Sequence, residues 1–273
     1  MDPSAARSLE TGTPELLCRV EQRVAVVTLN RPEARNALTG AMKHALLELL
    51  PALARDPEVG CVLFTGAGDA FCAGGDTKKM VREGSPSSPE ERTRQLQREH
   101  GIPLAIHRLP KPVLASLPGP AAGAGFALAL SCDLRLLAQS AFVTTAYVKL
   151  GLSGDYGVSW FLTRLVGPAR AREILFTGDS LSADTCLQLG LANRVVPDAQ
   201  LEEEALGLAR RLAAGPPIAL AYMKDNLNRA LRGELEELLE LEARRMVAGA
   251  TSEDYREALR ARQEKRPPVF RGR

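Results

Sequence analysis

The chain has 273 residues, and its 35 lysines and arginines nearly balance its 33 aspartates and glutamates, which leaves a formal net charge of +2. So small a net charge creates no strong field for nucleic acid or for an anionic membrane. No apolar run reaches the roughly 18 to 20 residues of a membrane-spanning helix. We therefore expect neither nucleic acid nor a membrane among the partners of this chain, and its hydrophobic content of 45% is typical of a globular protein.

The five cysteines and three histidines show no metal-binding or disulfide pattern. No two cysteines have the CxxC spacing, their number is odd, and the histidines fall in no ligand spacing with them. We therefore expect no metal site and no disulfide framework. Small buried core residues in a reducing compartment are the simplest interpretation, which favours a cytoplasmic location. The cysteines are Cys18, Cys61, Cys72, Cys132 and Cys186.

The first half of the chain predicts strands that alternate with helices. Residues 1–14 have no apolar core, so they predict a flexible tail and not a signal peptide. Two apolar runs separated by three polar residues then indicate a hairpin, and apolar residues at helical spacing follow. The predicted strands are 15–20, 24–29 and 61–65, the helices are 37–55 and 91–107, and a flexible loop is predicted at 84–89.

The second half repeats the order of strand, glycine turn and helix, and then becomes mainly helical. Strands are predicted at 112–117, 134–138 and 142–147, and a helix of small residues at 121–131. From about residue 156 helices dominate, and residues 235–246 place an apolar stripe on an otherwise charged helix. The chain thus predicts an α/β fold with a flexible tail at 1–14, a core with the functional site at 15–200, and a helical region at 201–273.

Familiar catalytic motifs are missing from the sequence, which has no GxSxG, no HExxH and no phosphate-binding P-loop. Two turns rich in glycine and alanine each follow an apolar strand, and their small side chains expose the backbone to a ligand. Ala73 lies in the first turn, and Ala124 lies at the start of the second predicted helix. Two N–H groups that converge on one oxygen form an oxyanion hole. Close packing of strand and helix is the alternative reason for such small residues.

Five segments, in this order along the chain, carry the motifs of a known family: Val24–Leu38 (VAVVTLNRPEARNAL), Phe71–Asp76 (FCAGGD), Lys111–Ala129, Phe176–Ala183 and Glu264–Phe270 (EKRPPVF). Over about residues 15–271, these segments resemble the enoyl-CoA hydratase/isomerase, or crotonase, superfamily. The resemblance implies a spiral of ββα units with a C-terminal helical trimerisation region, which assembles trimers or dimers of trimers. It also implies an acyl-coenzyme A thioester as ligand. Coenzyme A is part of that substrate, so no separate cofactor is implied.

The resemblance assigns expected roles to individual residues. By motif match, the backbone N–H groups of Ala73 and Ala124 hold the thioester oxygen. The segment that runs beside the pantetheine and the adenine corresponds to Glu33, Ala34 and Arg35. The residues that shape the acyl channel correspond to Gly75, Asp76 and Met80.

The carboxylates suggest which reaction to expect. Hydratases of the superfamily use two glutamates, and the matching positions here are Ala127 and Tyr147, which line the predicted acyl pocket. Alanine transfers no proton, and tyrosine is a poor base at neutral pH. Asp155 occupies the position at which isomerases of 3-enoyl-CoA or ring-epoxide phenylacetyl-CoA carry a carboxylate, so the resemblance favours an isomerase with Asp155 as its base.

Three alternatives remain open at this level. Asp155 precedes a predicted helix, where aspartate also serves as an N-cap. A hydratase or a thioester hydrolase could activate water with another group. A catalytically impaired acyl-CoA-binding protein would also lack the two glutamates.

Overall fold

The computed structural model describes residues 6–76 and 88–273, which form a mixed α/β fold. The strands are β1 Arg7–Leu9, β2 Leu16–Glu21, β3 Val24–Leu29, β4 Cys61–Gly66, β5 Val113–Leu117, β6 Ala121–Ala122, β7 Leu134–Ala138, β8 Phe142–Thr144, β9 Leu181–Ser182 and β10 Arg194–Val196. The helices are α1 Gly40–Arg55, α2 Pro89–Glu99, α3 Gly101–Arg108, α4 Ala124–Ser131, α5 Val158–Thr177, α6 Ala183–Gln188, α7 Leu201–Ala213, α8 Pro217–Ala230, α9 Leu235–Ala250 and α10 Glu253–Glu264.

Two sheets organise these elements. The larger sheet has the strand order β1-β2-β3-β4-β5-β7-β10; β1, β2 and β3 pair antiparallel, and the strands from β3 onward pair parallel. The smaller sheet has the order β6-β8-β9. The central strands β4 and β5 are almost entirely buried, as expected for parallel strands covered on both faces. The predicted α/β class is therefore confirmed.

The N-terminal hairpin forms where the sequence predicts it. Gln22 and Arg23 join β2 to β3, and both have positive φ values, 48° and 64°. Two consecutive positive φ values are typical of the two-residue turn that follows the natural twist of a hairpin. Arg7–Leu9 pairs antiparallel with β2, so these residues belong to the sheet and do not form the flexible tail expected for 1–14. Residues 1–5 lie outside the described residues.

Two helix boundaries differ from the sequence-based expectation for clear physical reasons. The helix predicted at 37–55 begins at Gly40, because the Thr39 side chain accepts the N–H of Met42 and caps the helix there. The helix predicted at 91–107 is two helices that meet at His100. Pro103 lacks an N–H, and its ring would collide with the carbonyl four residues earlier, so one continuous helix is excluded there.

The C-terminal region divides into two parts that behave differently. Helix α7 packs on the large sheet and buries Leu201, Ala205 and Ala209, so the predicted boundary at 200/201 does not separate it from the core. Helices α8 and α9 bury no residue completely. Two short strands, β9 and β10, also interrupt the stretch after residue 156 that was predicted as helical. No helix among the described residues is both long enough and apolar enough to cross a membrane.

Candidate active site

Two glycine-containing turns are joined to each other by backbone contacts. The N–H of Ala122 donates to the carbonyl of Cys72 at 2.9 Å, within an isolated parallel bridge between Cys72 and Ala121. Glycines allow this close approach: a Cβ at Gly74 would lie 2.6 Å from the carbonyl oxygen of Ala122, and one at Gly125 would lie 2.3 Å from that of Cys72. The first turn therefore lies directly against the start of α4.

The start of α4 presents an unused backbone donor. Ala124 is the first residue of α4, so its N–H has no acceptor within the helix. Gly123, which precedes it, adopts φ 51° and ψ −124°, a conformation that only glycine tolerates readily. A Cβ at Gly74 would lie 3.2 Å from the nitrogen of Ala124, which shows how closely the first turn approaches this donor.

The amide of Ala73 is not a free donor in this structure, contrary to the sequence-based expectation. Its N–H donates to the carbonyl of Arg35 at 2.8 Å. Gly75 lies two residues further on and pairs with Leu38 in an isolated bridge, in which the carbonyl of Gly74 accepts the N–H of Leu38. Peptide groups alternate in direction along extended backbone, so the N–H of Gly75 points away from Leu38. Among the described residues, none accepts the N–H of Gly75 or that of Ala124.

Asn36 holds the segment that supports the first turn. It is fully buried, and its side chain accepts the N–H of Arg31 at 2.8 Å and donates to the carbonyls of Ala67 and Ala70 at 2.9 and 2.8 Å. Its φ of 57° lies in the left-handed region, which asparagine tolerates better than most residues. All of its amide atoms are therefore used to fix backbone.

The remaining residues of that segment surround the same turn. Glu33 and Arg35 are exposed and Ala34 is partly buried, in or next to a short 3-10 helix at Pro32–Ala34. Asp76 forms an ion pair with Arg31, with 3.2 Å between Oδ2 and Nη1. The structure therefore brings Glu33, Ala34 and Arg35 beside the turn that contains Gly75 and Asp76, while Met80 lies outside the described residues.

Asp155 and Tyr147 form a side-chain pair beside the two turns. The Tyr147 hydroxyl donates to Oδ1 of Asp155 at 2.7 Å. A Cβ at Gly123 would lie 3.9 Å from the Tyr147 ring, so the ring packs against the turn that precedes Ala124. Burial, and then the charge of Asp155, raises the pKa of Tyr147 above its ordinary value, which keeps the phenol protonated at neutral pH.

The N-cap interpretation of Asp155 is not supported. Helix α5 begins at Val158, and its N-cap is Gly157, which has φ 79° and makes no side-chain capping bond. The Asp155 side chain is partly buried and bonds to Tyr147 instead of to the first turn of the helix. Its carboxylate is therefore not committed to helix capping.

Several expected site residues are placed elsewhere. Ala127 is fully buried in the apolar core, so its side chain offers no surface to a ligand in this structure. Lys224 is buried in an ion pair with Asp133 at 2.8 Å, so its ammonium group is not available to the phosphates of coenzyme A. A cavity of about 1040 Å³ lies between the N-terminal strands and α7, and none of the candidate site residues lines it.

The cysteines fit the expectation of small core residues, since all five are buried and free. Cys72 lies beneath the first turn, and burial raises its pKa to about 12. A thiol with so high a pKa is not a nucleophile at neutral pH. Among the described residues, the candidate reactive groups of this site are therefore backbone amides and one carboxylate with its tyrosine partner.

Sequence reasoning missed two features of this site. It assigned the first donor to Ala73 and did not predict that Arg35 accepts this N–H, because that bond joins segments that lie 38 positions apart in the chain. It also placed Tyr147 in the acyl pocket and did not predict the bond to Asp155. The spacing of eight residues between them was the available sequence signal, but it crosses a 3-10 helix and a loop whose path the sequence does not reveal.

Comparisons with known proteins identify the family of this chain. A family model described as enoyl-CoA hydratase/isomerase matches residues 19–273. The chain is 38% identical over 260 residues to 1,2-epoxyphenylacetyl-CoA isomerase of Escherichia coli (strain K12), which covers 94% of this chain and 98% of that protein. It is 40% identical over 257 residues to a Rhodobacter capsulatus protein named "Probable enoyl-CoA hydratase", and this alignment covers 93% of this chain and 96% of that protein.

Solved structures give the same result. The crystal structure of an enoyl-CoA hydratase from Polaromonas sp. JS666 superposes with a TM-score of 0.89 at 36% identity, over 94% of this chain and 99% of that chain. The family match covers far more than half of the chain, and the fold, including its helical C-terminal region, matches crotonase structures. The chain therefore belongs to the enoyl-CoA hydratase/isomerase family of the crotonase superfamily and is an enzyme of that superfamily.

Proposed function

We propose that this enzyme is an acyl-CoA isomerase that shifts the double bond of a 3-enoyl-CoA, or rearranges a ring-epoxide phenylacetyl-CoA, through an enolate. The observation that carries the proposal is the carboxylate of Asp155, which caps no helix and accepts the hydroxyl of Tyr147, whose ring packs against the turn that precedes Ala124. A single carboxylate suffices for this reaction. It removes a proton from C2 of the 3-enoyl thioester and returns a proton to C4, so atoms and charge balance without added water.

The enolate oxygen is held by two backbone amides, those of Ala124 and Gly75, in this proposal. Both N–H groups lack an acceptor among the described residues, and Gly74 brings their turns together. Each donor aimed at a developing oxyanion is worth about 3 to 4 kcal/mol of barrier. Ala73 does not contact the enolate oxygen in this proposal. Its N–H donates to the carbonyl of Arg35, and this bond fixes the turn.

Hydration of a 2-enoyl-CoA is the second candidate, favoured by the similarity to the Rhodobacter capsulatus protein. It is chemically less suited to this site. Ala127 and Tyr147 stand where hydratases carry their two glutamates. Ala127 offers only a methyl group, and burial keeps the phenol of Tyr147 protonated, so neither activates water at neutral pH. Asp155 would then have to serve as both the base and the acid.

Product analysis separates these candidates. The enzyme is incubated in deuterated water with 3-enoyl-CoA, ring-epoxide phenylacetyl-CoA or 2-enoyl-CoA, and the products are identified by mass spectrometry. Isomerisation yields a product of unchanged formula with deuterium at C4 or C2. A hydroxyacyl-CoA formed from 2-enoyl-CoA, with no shift of the 3-enoyl double bond, supports the hydratase. Binding of all three esters without any turnover supports a protein that retained the ligand site and lost the reaction.

We also propose that α8 and α9 form the interface of a homotrimer. These helices bury no residue completely, yet they carry apolar side chains that are largely exposed in the single chain: Met223, Leu227, Leu235, Leu239, Met246 and Val247. Contiguous exposed apolar surface of this kind marks an association site. A second and a third copy of this chain are its expected partners.

Replacing Leu227 and Leu239 by glutamate is expected to dissociate the trimer. These side chains are 69% and 55% exposed in the single chain, so the charges cost little there but are buried without partners in an interface. Light scattering after gel filtration should give three times the 29.4 kDa of one chain for the wild type and a smaller mass for the variant. Leu17→Glu, on β2 and 48% exposed, is the matched control. An unchanged mass in the double variant would exclude this interface.

A further inference from the structure

We propose that Tyr147 is a positioning residue for Asp155: its hydroxyl holds one carboxylate oxygen so that the other takes the substrate proton. This inference rests on the proposed role of Asp155 as the base. It assigns Tyr147 to the reacting carboxylate, whereas the sequence suggested only that Tyr147 lines the acyl pocket.

The hydrogen bond itself is short and has one sensible direction. The Tyr147 hydroxyl lies 2.7 Å from Oδ1 of Asp155. An ionised carboxylate only accepts hydrogen bonds, so the phenol is the donor. Bonds of this type, from a hydroxyl to a charged oxygen, are about twice as strong as those between neutral groups. The bond therefore stabilises the charged form of Asp155, which is the form a base requires.

The phenol is held in place independently of Asp155. Its ring lies between two glycines, since a Cβ at Gly123 would be 3.9 Å from Cε1 and a Cβ at Gly154 would be 3.7 Å from Cδ2. Both glycines have positive φ, 51° and 100°. The ring is 8% exposed and cannot rotate freely. The backbone thus sets the position of the hydroxyl, and the hydroxyl sets the orientation of the carboxylate.

This arrangement divides the work between the two oxygens of Asp155. Oδ1 accepts from the phenol, so Oδ2 is the atom that receives the proton from C2 and returns it at C4. A carboxylate fixed in this way loses little orientational freedom when substrate binds, and pre-orientation of a reacting group is a large contribution to rate. Without the phenol, the Asp155 side chain would rotate about χ1 and χ2.

Other titratable groups near the pair make no hydrogen bond to its side chains. Among the described residues they are Lys149 of the 3-10 helix, Tyr156 beside Asp155, and Glu99 and His100 where α2 meets α3. His100 Nε2 accepts the N–H of Tyr156 at 3.3 Å, and Glu99 pairs with Lys43 at 2.7 Å. Tyr156 is 2% exposed, and its hydroxyl has no hydrogen-bond partner among the described residues.

The test compares Tyr147→Phe with Tyr156→Phe, two variants that each remove one buried hydroxyl. Infrared difference spectroscopy records the carboxylate stretch of Asp155 in the free enzyme at neutral pH, and the band is assigned by its loss in Asp155→Asn. We expect the band to shift and to broaden in Tyr147→Phe, because the carboxylate loses a hydrogen bond and gains orientations. We expect no change in Tyr156→Phe. Identical bands in wild type and Tyr147→Phe overturn the proposal.

A kinetic arm separates this inference from the proposed function. With 3-enoyl-CoA, Tyr147→Phe should lower kcat about tenfold and leave KM within about threefold. A shifted infrared band in an enzyme that does not isomerise refutes the reaction and leaves the pairing intact. A wild-type kcat in Tyr147→Phe refutes the positioning role and leaves the reaction intact.

Discussion

Asp155→Asn is expected to lower kcat for the double-bond shift by about 10³-fold, within the range that a positioned acid–base group contributes. Asparagine has the same shape as aspartate, and its carbonyl oxygen still accepts the Tyr147 hydroxyl, so the local packing persists. It cannot take a proton from C2. Steady-state kinetics with 3-enoyl-CoA measure the loss, and deuterium exchange at C2 of a saturated acyl-CoA measures the proton abstraction alone.

Asp179→Asn is the matched control for this variant. Asp179 is exposed just beyond the end of α5, so its loss should leave kcat, C2 exchange and thermal unfolding at their wild-type values. Asp155→Asn should also unfold at the wild-type temperature, because no backbone bond depends on its charge. If Asp155→Asn isomerises and exchanges as fast as the wild type, another group is the base and the proposed mechanism fails.

Gly74→Ala is expected to lower kcat/KM by about 10² to 10³-fold, the effect of losing one donor to an oxyanion. The added Cβ would lie 2.6 Å from the carbonyl oxygen of Ala122 and 3.2 Å from the nitrogen of Ala124. The first contact is impossible and the second is tight, so the first turn must move away from the start of α4. In the proposed oxyanion hole, the amides of Gly75 and Ala124 would then no longer reach the same oxygen.

The effect of backbone strain at residue 74 has to be distinguished from the effect of displacing the first turn. Gly74 has φ 87°, a value that an alanine adopts at a cost of about 1 to 2 kcal/mol. Gly190→Ala is the control, because Gly190 has φ 74° and no atom within 4 Å of its would-be Cβ. Both variants should lose stability in urea, but only Gly74→Ala should lose activity beyond the folded fraction. Equal specific activities of the folded proteins would exclude the first turn from the oxyanion hole.

The structure changes which atoms perform the proposed chemistry more than it changes which segments take part. Both glycine turns and Asp155 come from the sequence, but the donor in the first turn moves from Ala73 to Gly75. This shift follows from one hydrogen bond, between the N–H of Ala73 and the carbonyl of Arg35. Sequence patterns identify a turn that exposes its backbone, but they do not say which of its amides another segment uses.

The role of Tyr147 changes for a similar reason. The sequence places a tyrosine where hydratases carry a glutamate, which predicts a poor base and a residue of the pocket. The bond to Asp155 depends on how the 3-10 helix at Tyr147–Leu150 and the following glycine-containing loop fold back. That path is set by glycines at 151, 154 and 157, all with positive φ, and by the packing of the ring between Gly123 and Gly154.

The sequence by itself determined the α/β class, the hairpin at the N-terminus, the alternation of strands with helices and the family. Local patterns suffice for these features, because strand alternation, helical spacing and glycine turns depend on residues close together in the chain. The tertiary structure decided that residues 7–9 join the sheet, that α7 belongs to the core, that Lys224 pairs with Asp133, and that Asp155 bonds to Tyr147 and caps no helix. Each of these depends on contacts between distant segments or on the path of an irregular loop, and such contacts leave no periodic trace in the sequence.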